Sequence, residues 1–219
     1  VGVRWVRGLG GGGFAAWELP RLIGGGQVPA VRTVGQEKRA RHMTNGPLQD
    51  GVALVPGAGG TMGRAVVRAL IDDGCRVGLI DIAAASMAPL EQAHGDAVCA
   101  VACDISDPDA VIAAHARVVQ ELGDVDVLVN NAGILSNNKL EATSLAEWRR
   151  VLGANLDGAL FWAQAVVPAM KARRWGRIVN TSSLAAKTGG LTAGTAYSVS
   201  KGALGALTFS LARELAAHG

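Results

Sequence analysis

The stretch Val52-Ala53-Leu54-Val55-Pro56-Gly57-Ala58-Gly59-Gly60-Thr61-Met62-Gly63-Arg64 decides how this chain folds. Four consecutive apolar residues predict a buried strand over 52–55, and the pattern that follows predicts a helix over 62–73. Glycines between the two let the backbone turn tightly and approach a ligand closely. The amino terminus of the following helix presents unpaired N–H groups and a partial positive charge, which together suit a pyrophosphate. A glycine-rich turn alone is weak evidence; a strand before it and a helix after it give it meaning. Gly57, Gly59, Gly60, Thr61, Met62 and Gly63 are therefore the candidate cradle.

Outward from this turn, apolar strand-like runs at 77–80, 97–103, 125–129 and 177–181 alternate with helical patterns at 86–94, 108–122, 145–173 and 195–217. Strands separated by helices demand right-handed crossovers and a parallel sheet covered on both faces. The expected fold is thus α/β, a doubly wound Rossmann fold with ligands at the carboxyl ends of its strands. Asp81 closes the second strand, 18 residues beyond Gly63. A carboxylate there accepts hydrogen bonds from the adenosine ribose hydroxyls and repels a 2′-phosphate. No Lys or Arg lies between Gly57 and Gly63, so NAD(H) is favoured over NADP(H). The competing reading is that Asp81 only caps a loop.

Composition narrows the field. The chain has 219 residues, 49% of them hydrophobic, which suits one α/β domain. Three cysteines, Cys75, Cys99 and Cys103, are an odd number for a disulfide framework and read as buried, reduced thiols in a cytoplasmic protein. His42, His94, His115 and His218 lack ligand spacing, so no metal is expected. The net charge is +3, but residues 1–50 hold seven Lys/Arg against three Asp/Glu, or +4, leaving −1 for the remainder. Basic character confined to one end argues against a nucleic-acid partner. No apolar run approaches the roughly 18–20 residues of a membrane span, so no membrane association is expected.

Residues 1–47 carry glycine runs at 10–13 and 24–26 and no sustained period, and are expected to be a disordered or mis-assigned leader. Met43 stands just before Thr44-Asn45-Gly46-Pro47, so residues 1–42 read as an upstream start. A transit peptide is the alternative, although the glycine runs break an amphipathic helix. The folded domain is expected over 48–219.

At the other end, Tyr197-Ser198-Val199-Ser200-Lys201 opens the last helix and places a phenol and an ammonium four residues apart on one helical face. A neighbouring ammonium lowers a phenol's pKa, which prepares it to exchange a proton with an alkoxide. Tyr197 is the only tyrosine. The pair alone is a common surface pattern. Adjacent Ser182 and Ser183 point to opposite faces of a strand, so only one of them can meet a substrate.

Taken together, Gly57 to Gly63, Asn130-Asn131-Ala132-Gly133, Asn155, Ser182-Ser183 and Tyr197 to Lys201 resemble, in order, the short-chain dehydrogenase/reductase family. The resemblance runs from about residue 50 to the end. It implies an NAD(P)-dependent oxidoreductase moving hydride between a nicotinamide and a small alcohol or carbonyl substrate. By the same resemblance Ser183 holds the substrate carbonyl, with Ser182 as the alternative, and Tyr197 is the acid/base. Lys201 binds the nicotinamide ribose and tunes Tyr197, while Asn155 supports a proton relay. Asn131, Ala132 and Gly133 line the nicotinamide pocket, and Asp104 with Ile105 lies at the adenine. Asp104 could equally be the N-cap of the next helix. The text around Asn180 to Ser183 and Ala196 to Lys201 resembles 3-oxoacyl-carrier-protein reductases in particular. A homo-oligomer, dimer or tetramer, is implied for the full-length form.

Three departures from the family pattern stand out. Pro56 replaces a Thr and removes a backbone donor. Thr61 occupies a glycine position, where a positive φ would strain a β-branched residue unless Gly60 takes over the turn. The sequence stops at Gly219, whereas the family continues through two more strands, so a truncated domain is expected. That shortfall motivates a competing reading as a nucleotide-binding or oligomerisation module without turnover. The separation of 14 positions between Ser183 and Tyr197 is one longer than the family spacing, and the Gly189-Gly190 loop is expected to absorb it.

Overall fold

A computed structural model describes residues 48–219, and the expected leader over 1–47 lies outside the described residues. Five strands alternate with helices: β1 (Val52–Pro56), α1 (Thr61–Asp72), β2 (Arg76–Asp81), α2 (Ala84–His94), β3 (Val98–Ala102) and α3 (Pro108–Leu122). Then come β4 (Val127–Asn130), α4 (Leu145–Leu152), a π turn (Gly153–Asp157), α5 (Gly158–Arg173), β5 (Arg177–Asn180), α6 (Ala185–Thr188) and α7 (Thr195–Leu215). The strands are all parallel, in the order β3-β2-β1-β4-β5. The order reverses between β1 and β4, which opens a crevice at their carboxyl ends.

Side-chain alternation along the strands divides the core in two. Val52, Leu54, Ile80 and Leu128 pack with Val111 and Val118 of α3 and with Trp162 and Val166 of α5. Ala53, Val55, Val77, Leu79 and Val129 pack against Val67 of α1 and Met87 of α2 on the opposite face. Because both faces are covered, the strands read as continuous apolar runs rather than alternating ones. All three cysteines are buried and unpaired in this core, and burial pushes the Cys75 and Cys103 thiols up to about 11, where they stay protonated.

Helix boundaries follow local chemistry. Pro108 opens α3, and the Asp107 carboxylate accepts from Asp109 N (2.9 Å) and Ala110 N (3.4 Å). This overturns Asp104 as the cap: its carboxylate accepts instead from Ser106 N (3.0 Å) and Ser106 Oγ (2.7 Å), a turn completed before the helix starts. Those bonds hold the Asp104 carboxyl below the usual range. The single helix expected over 145–173 is also corrected. It divides at Gly153–Asp157, where a π turn swings Asn155 inward to 1% exposure. The short α6 has no periodic signal in the sequence, being only four residues long.

Leu54 is fully buried in the central strand. Leu54→Ala should cost about 2–5 kcal/mol of stability. Urea titration should show a lower midpoint at unchanged slope; a midpoint equal to that of the parent would contradict this core assignment.

Candidate active site

The glycine turn is built around one left-handed residue, Gly57, with φ +78. Its N–H and that of Ala58 both donate to Ile80 O, at 2.7 and 3.0 Å, binding the turn to β2. A Cβ at Gly57 would lie 2.7 Å from Ala132 Cα, and Asn131 Nδ2 donates to Gly57 O at 3.1 Å. The loops after β1 and β4 therefore touch across the crevice. A Cβ at Gly63 would overlap Gly57 O, so only glycine lets α1 start this close to the turn. Thr61 is the first residue of α1 and Gly60 has φ −73, so the expected positive φ falls on neither. The strain anticipated at Thr61 is absent because Gly57 alone makes the left-handed bend.

The first i→i−4 bond of α1 is that of Arg64 N to Gly60 O. The amides of Thr61, Met62 and Gly63 precede it and lie at the open helix end. Asp81 Oδ2 accepts from Gly59 N at 3.1 Å and Oδ1 from Ala83 N at 3.2 Å. It thus joins the glycine turn to the loop before α2, and its remaining lone pairs are available to hydroxyl donors. Positive-φ backbone at Gly57, helix-end amides and a carboxylate at the β2 terminus fit a dinucleotide. Sequence reasoning overlooked Arg64, whose Nε and Nη2 donate to Gly59 O (2.8 Å) and Ser86 O (2.9 Å) and brace the cradle. Pro56, Ile105, Asn130, Ala132 and Asn155 line a small gap near the exits of β1 and β4.

On the opposite side of the crevice, Lys201 is 4% exposed and donates from Nζ to Thr181 O at 2.8 Å. Its Nζ lies 6.0 Å from the centroid of the Tyr197 ring. A Cβ at Gly133 would come within 3.3 Å of Lys201 Nζ and 3.1 Å of Asn155 Oδ1. Asn155 Oδ1 accepts from Ile134 N at 2.7 Å, while Nδ2 donates to Ile134 O (3.1 Å) and Ser200 Oγ (3.0 Å). Ser200 Oγ in turn donates to Tyr197 O at 2.8 Å. Both ends of Asn155 are thereby used in joining the β4 loop to the Tyr197 helix.

The two serines lie beyond the end of β5 at Asn180, so strand alternation does not govern them, and they differ in their partners. Ser182 Oγ donates to Lys201 O at 3.1 Å, tying the loop after β5 to α7. Ser183 Oγ accepts from Ala185 N at 3.2 Å, an engagement that leaves its proton for another acceptor. Asn130 joins a buried chain beneath the site, with Nδ2 donating to Asn180 Oδ1 at 2.8 Å and Asn180 Nδ2 to Thr208 Oγ1 at 2.9 Å. The bonds from Asn155 to Ser200 and from Asn180 to Thr208 carry no short-range signal, because their partners lie 45 and 28 residues apart.

Comparison with known proteins agrees with this geometry. The family model described as short chain dehydrogenase matches residues 51–219. The short-chain reductase protein NovJ of Streptomyces niveus is 39% identical over 175 residues, covering 78% of this chain and 66% of that protein. A 3-alpha-(or 20-beta)-hydroxysteroid dehydrogenase of Mycobacterium tuberculosis is 37% identical over 175 residues, covering 80% and 67%. Among solved structures, an NAD+-bound xylitol dehydrogenase superposes with TM-score 0.75 at 32% identity, covering 80% of this chain and 68% of that one. The chain belongs to the short-chain dehydrogenase family, and it spans about two-thirds of the length of the curated relatives it matches. Among the described residues, no helix is long and apolar enough to cross a membrane.

Burial lowers the Lys201 pKa from 10.5 to about 8. Between those two values the unfolded chain binds more protons at this site than the folded one, so its contribution to stability rises with pH. Below about 8 the cost of burying the charge is fully present. The stability difference between the parent and Lys201→Met should therefore move in the parent's favour as pH climbs through that window. A pH-independent difference, measured by urea titration, would show that the ammonium is not desolvated.

Proposed function

We propose that this chain is the coenzyme-binding and catalytic part of an NAD(P)-dependent oxidoreductase acting on a secondary alcohol and its ketone. The observation that carries the reading is the buried Lys201 ammonium, held by Thr181 O within 6.0 Å of the Tyr197 ring and beside Gly133 and Asn155. An ammonium so placed can stabilise negative charge on the phenol and bind ribose hydroxyls. When bound at the crevice, the reduced nicotinamide supplies a hydride to the carbonyl carbon.

Ser183, with its hydroxyl proton available, donates a hydrogen bond to the substrate carbonyl oxygen. The Tyr197 phenol then gives its proton to that oxygen as negative charge develops there. Lys201 neutralises the phenolate left behind and holds the nicotinamide ribose. Asn155 shapes the proton path through Ser200 and the β4 loop. Gly57, Gly59, Gly60, Thr61, Met62 and Gly63 receive the pyrophosphate, Asn131, Ala132 and Gly133 flank the nicotinamide, and Asp104 with Ile105 lies at the adenine. Asp81 receives the adenosine ribose hydroxyls, and Arg64, the basic side chain beside the turn, is directed through Nε and Nη2 to Gly59 O and Ser86 O. NAD(H) is therefore the preferred coenzyme. The hydroxysteroid and xylitol named for two of the relatives are secondary alcohols, which supports that substrate class. The local text around Ser183 and Tyr197 adds a 3-oxoacyl thioester as a third candidate.

NAD+-linked oxidation of xylitol and a 3α-hydroxysteroid, together with NADH-linked reduction of a 3-oxoacyl thioester, tests the reading. At least one should turn over, and Tyr197→Phe should lower that rate by about 10² to 10⁴ while NADH binding stays intact. NADH binding with no turnover of any of the three would favour a dinucleotide-binding module instead. NADH should also bind more tightly than NADPH, with the gap narrowed in Asp81→Ser; equal affinities in the parent would remove the basis for the coenzyme preference.

A further inference from the structure

Lys139 lies in the loop after β4, outside every motif named above. Its ammonium donates to three main-chain carbonyls, Gly190 O (2.7 Å), Ala193 O (2.7 Å) and Leu191 O (3.4 Å). All three belong to the segment between α6 and α7 that separates Ser183 from Tyr197. Carbonyl dipoles converging on one point repel each other, and a cation with several donors is what makes such an arrangement stable. Gly189 and Gly190, with φ +71 and +81, supply the bend that brings the carbonyls together.

The same segment is pinned to the Lys139 loop from its other end. Gly194 N donates to Ser136 O at 2.6 Å and Thr195 N to Asn138 O at 3.0 Å. Glu147 of α4 accepts from Ser136 Oγ and, at 2.6 Å, from Asn138 Nδ2, which fixes that loop to the body of the domain. Ser198 N and Ser198 Oγ both donate to Gly194 O, so the first turn of α7 inherits the placement. Tyr197 is the third residue of that turn.

We infer that Lys139 is a positioning residue: by gathering the carbonyls of Gly190, Leu191 and Ala193 it sets where the Tyr197 turn stands relative to Ser183. The inference rests on the catalytic reading above.

Amide hydrogen exchange and kinetics on Lys139→Met and Lys139→Arg test it. In Lys139→Met, exchange at Gly194, Thr195 and Ser198 should rise by about tenfold or more, with the glycine turn and β4 unaffected. Lys139→Arg, which keeps charge and donors, should restore part of that protection. On whichever of the three candidate substrates turns over, Lys139→Met should lower kcat by about ten- to a hundredfold at unchanged NADH affinity. Unaltered exchange at those three amides, or raised exchange with kcat intact, would overturn the inference. Should Tyr197→Phe itself retain full turnover, the catalytic reading fails, while exchange at the three amides still decides whether Lys139 holds the loop.

Discussion

The contact on which the site depends is the approach of the Gly57 and Ala132 backbones at the point where the strand order reverses. β1 and β4 are neighbours in the sheet, yet their chains leave it in different directions, and a crevice opens only if the two exits are held in a fixed relation. Asn131 Nδ2 on Gly57 O supplies that relation, and the absence of side-chain atoms at Gly57 permits it. Everything on the coenzyme side, from the amides at the head of α1 to Asp81, is referred to this junction. So is the catalytic side, because Gly133 and Ile134 continue the same loop to Lys201 and Asn155.

Asn155 is the second anchor, and it shows how an interruption in a regular element can serve a site. The π turn interrupts the α-helical register at Asn155, whose side-chain amide bonds Ile134 and Ser200. Gly158, where a Cβ would come within 2.8 Å of Ile105, lets α5 resume close against the crevice. The cost of a buried amide is offset because both of its polar atoms are satisfied. Lys201 meets the same requirement with a single carbonyl, which leaves further donors on its ammonium for a ligand.

Much of this was legible in the sequence because it is local. The β-then-α rhythm, the strand-to-helix context of Gly57 to Gly63 and the four-residue spacing of Tyr197 and Lys201 each occupy a short window, and the doubly wound sheet followed from them. Asp104 was misread as a possible cap because the true cap, Asp107, sits beside Pro108 only three positions later. The division of the 145–173 helix was invisible because a π turn differs from an α turn by one residue and leaves the apolar pattern nearly intact. Lys139, Arg64 and Glu147 were passed over for a different reason. Their partners are main-chain carbonyls and polar side chains brought near by the fold, and a main-chain carbonyl has no sequence signature.

The central claim is that the head of α1 and the β4 loop form one dinucleotide pocket, and amide resonances under NADH titration test it directly. The account predicts that the amides of Thr61, Met62, Gly63 and Gly133 shift together with a single saturation curve. Shifts confined to one loop, or none at these four amides at saturating NADH, would contradict it.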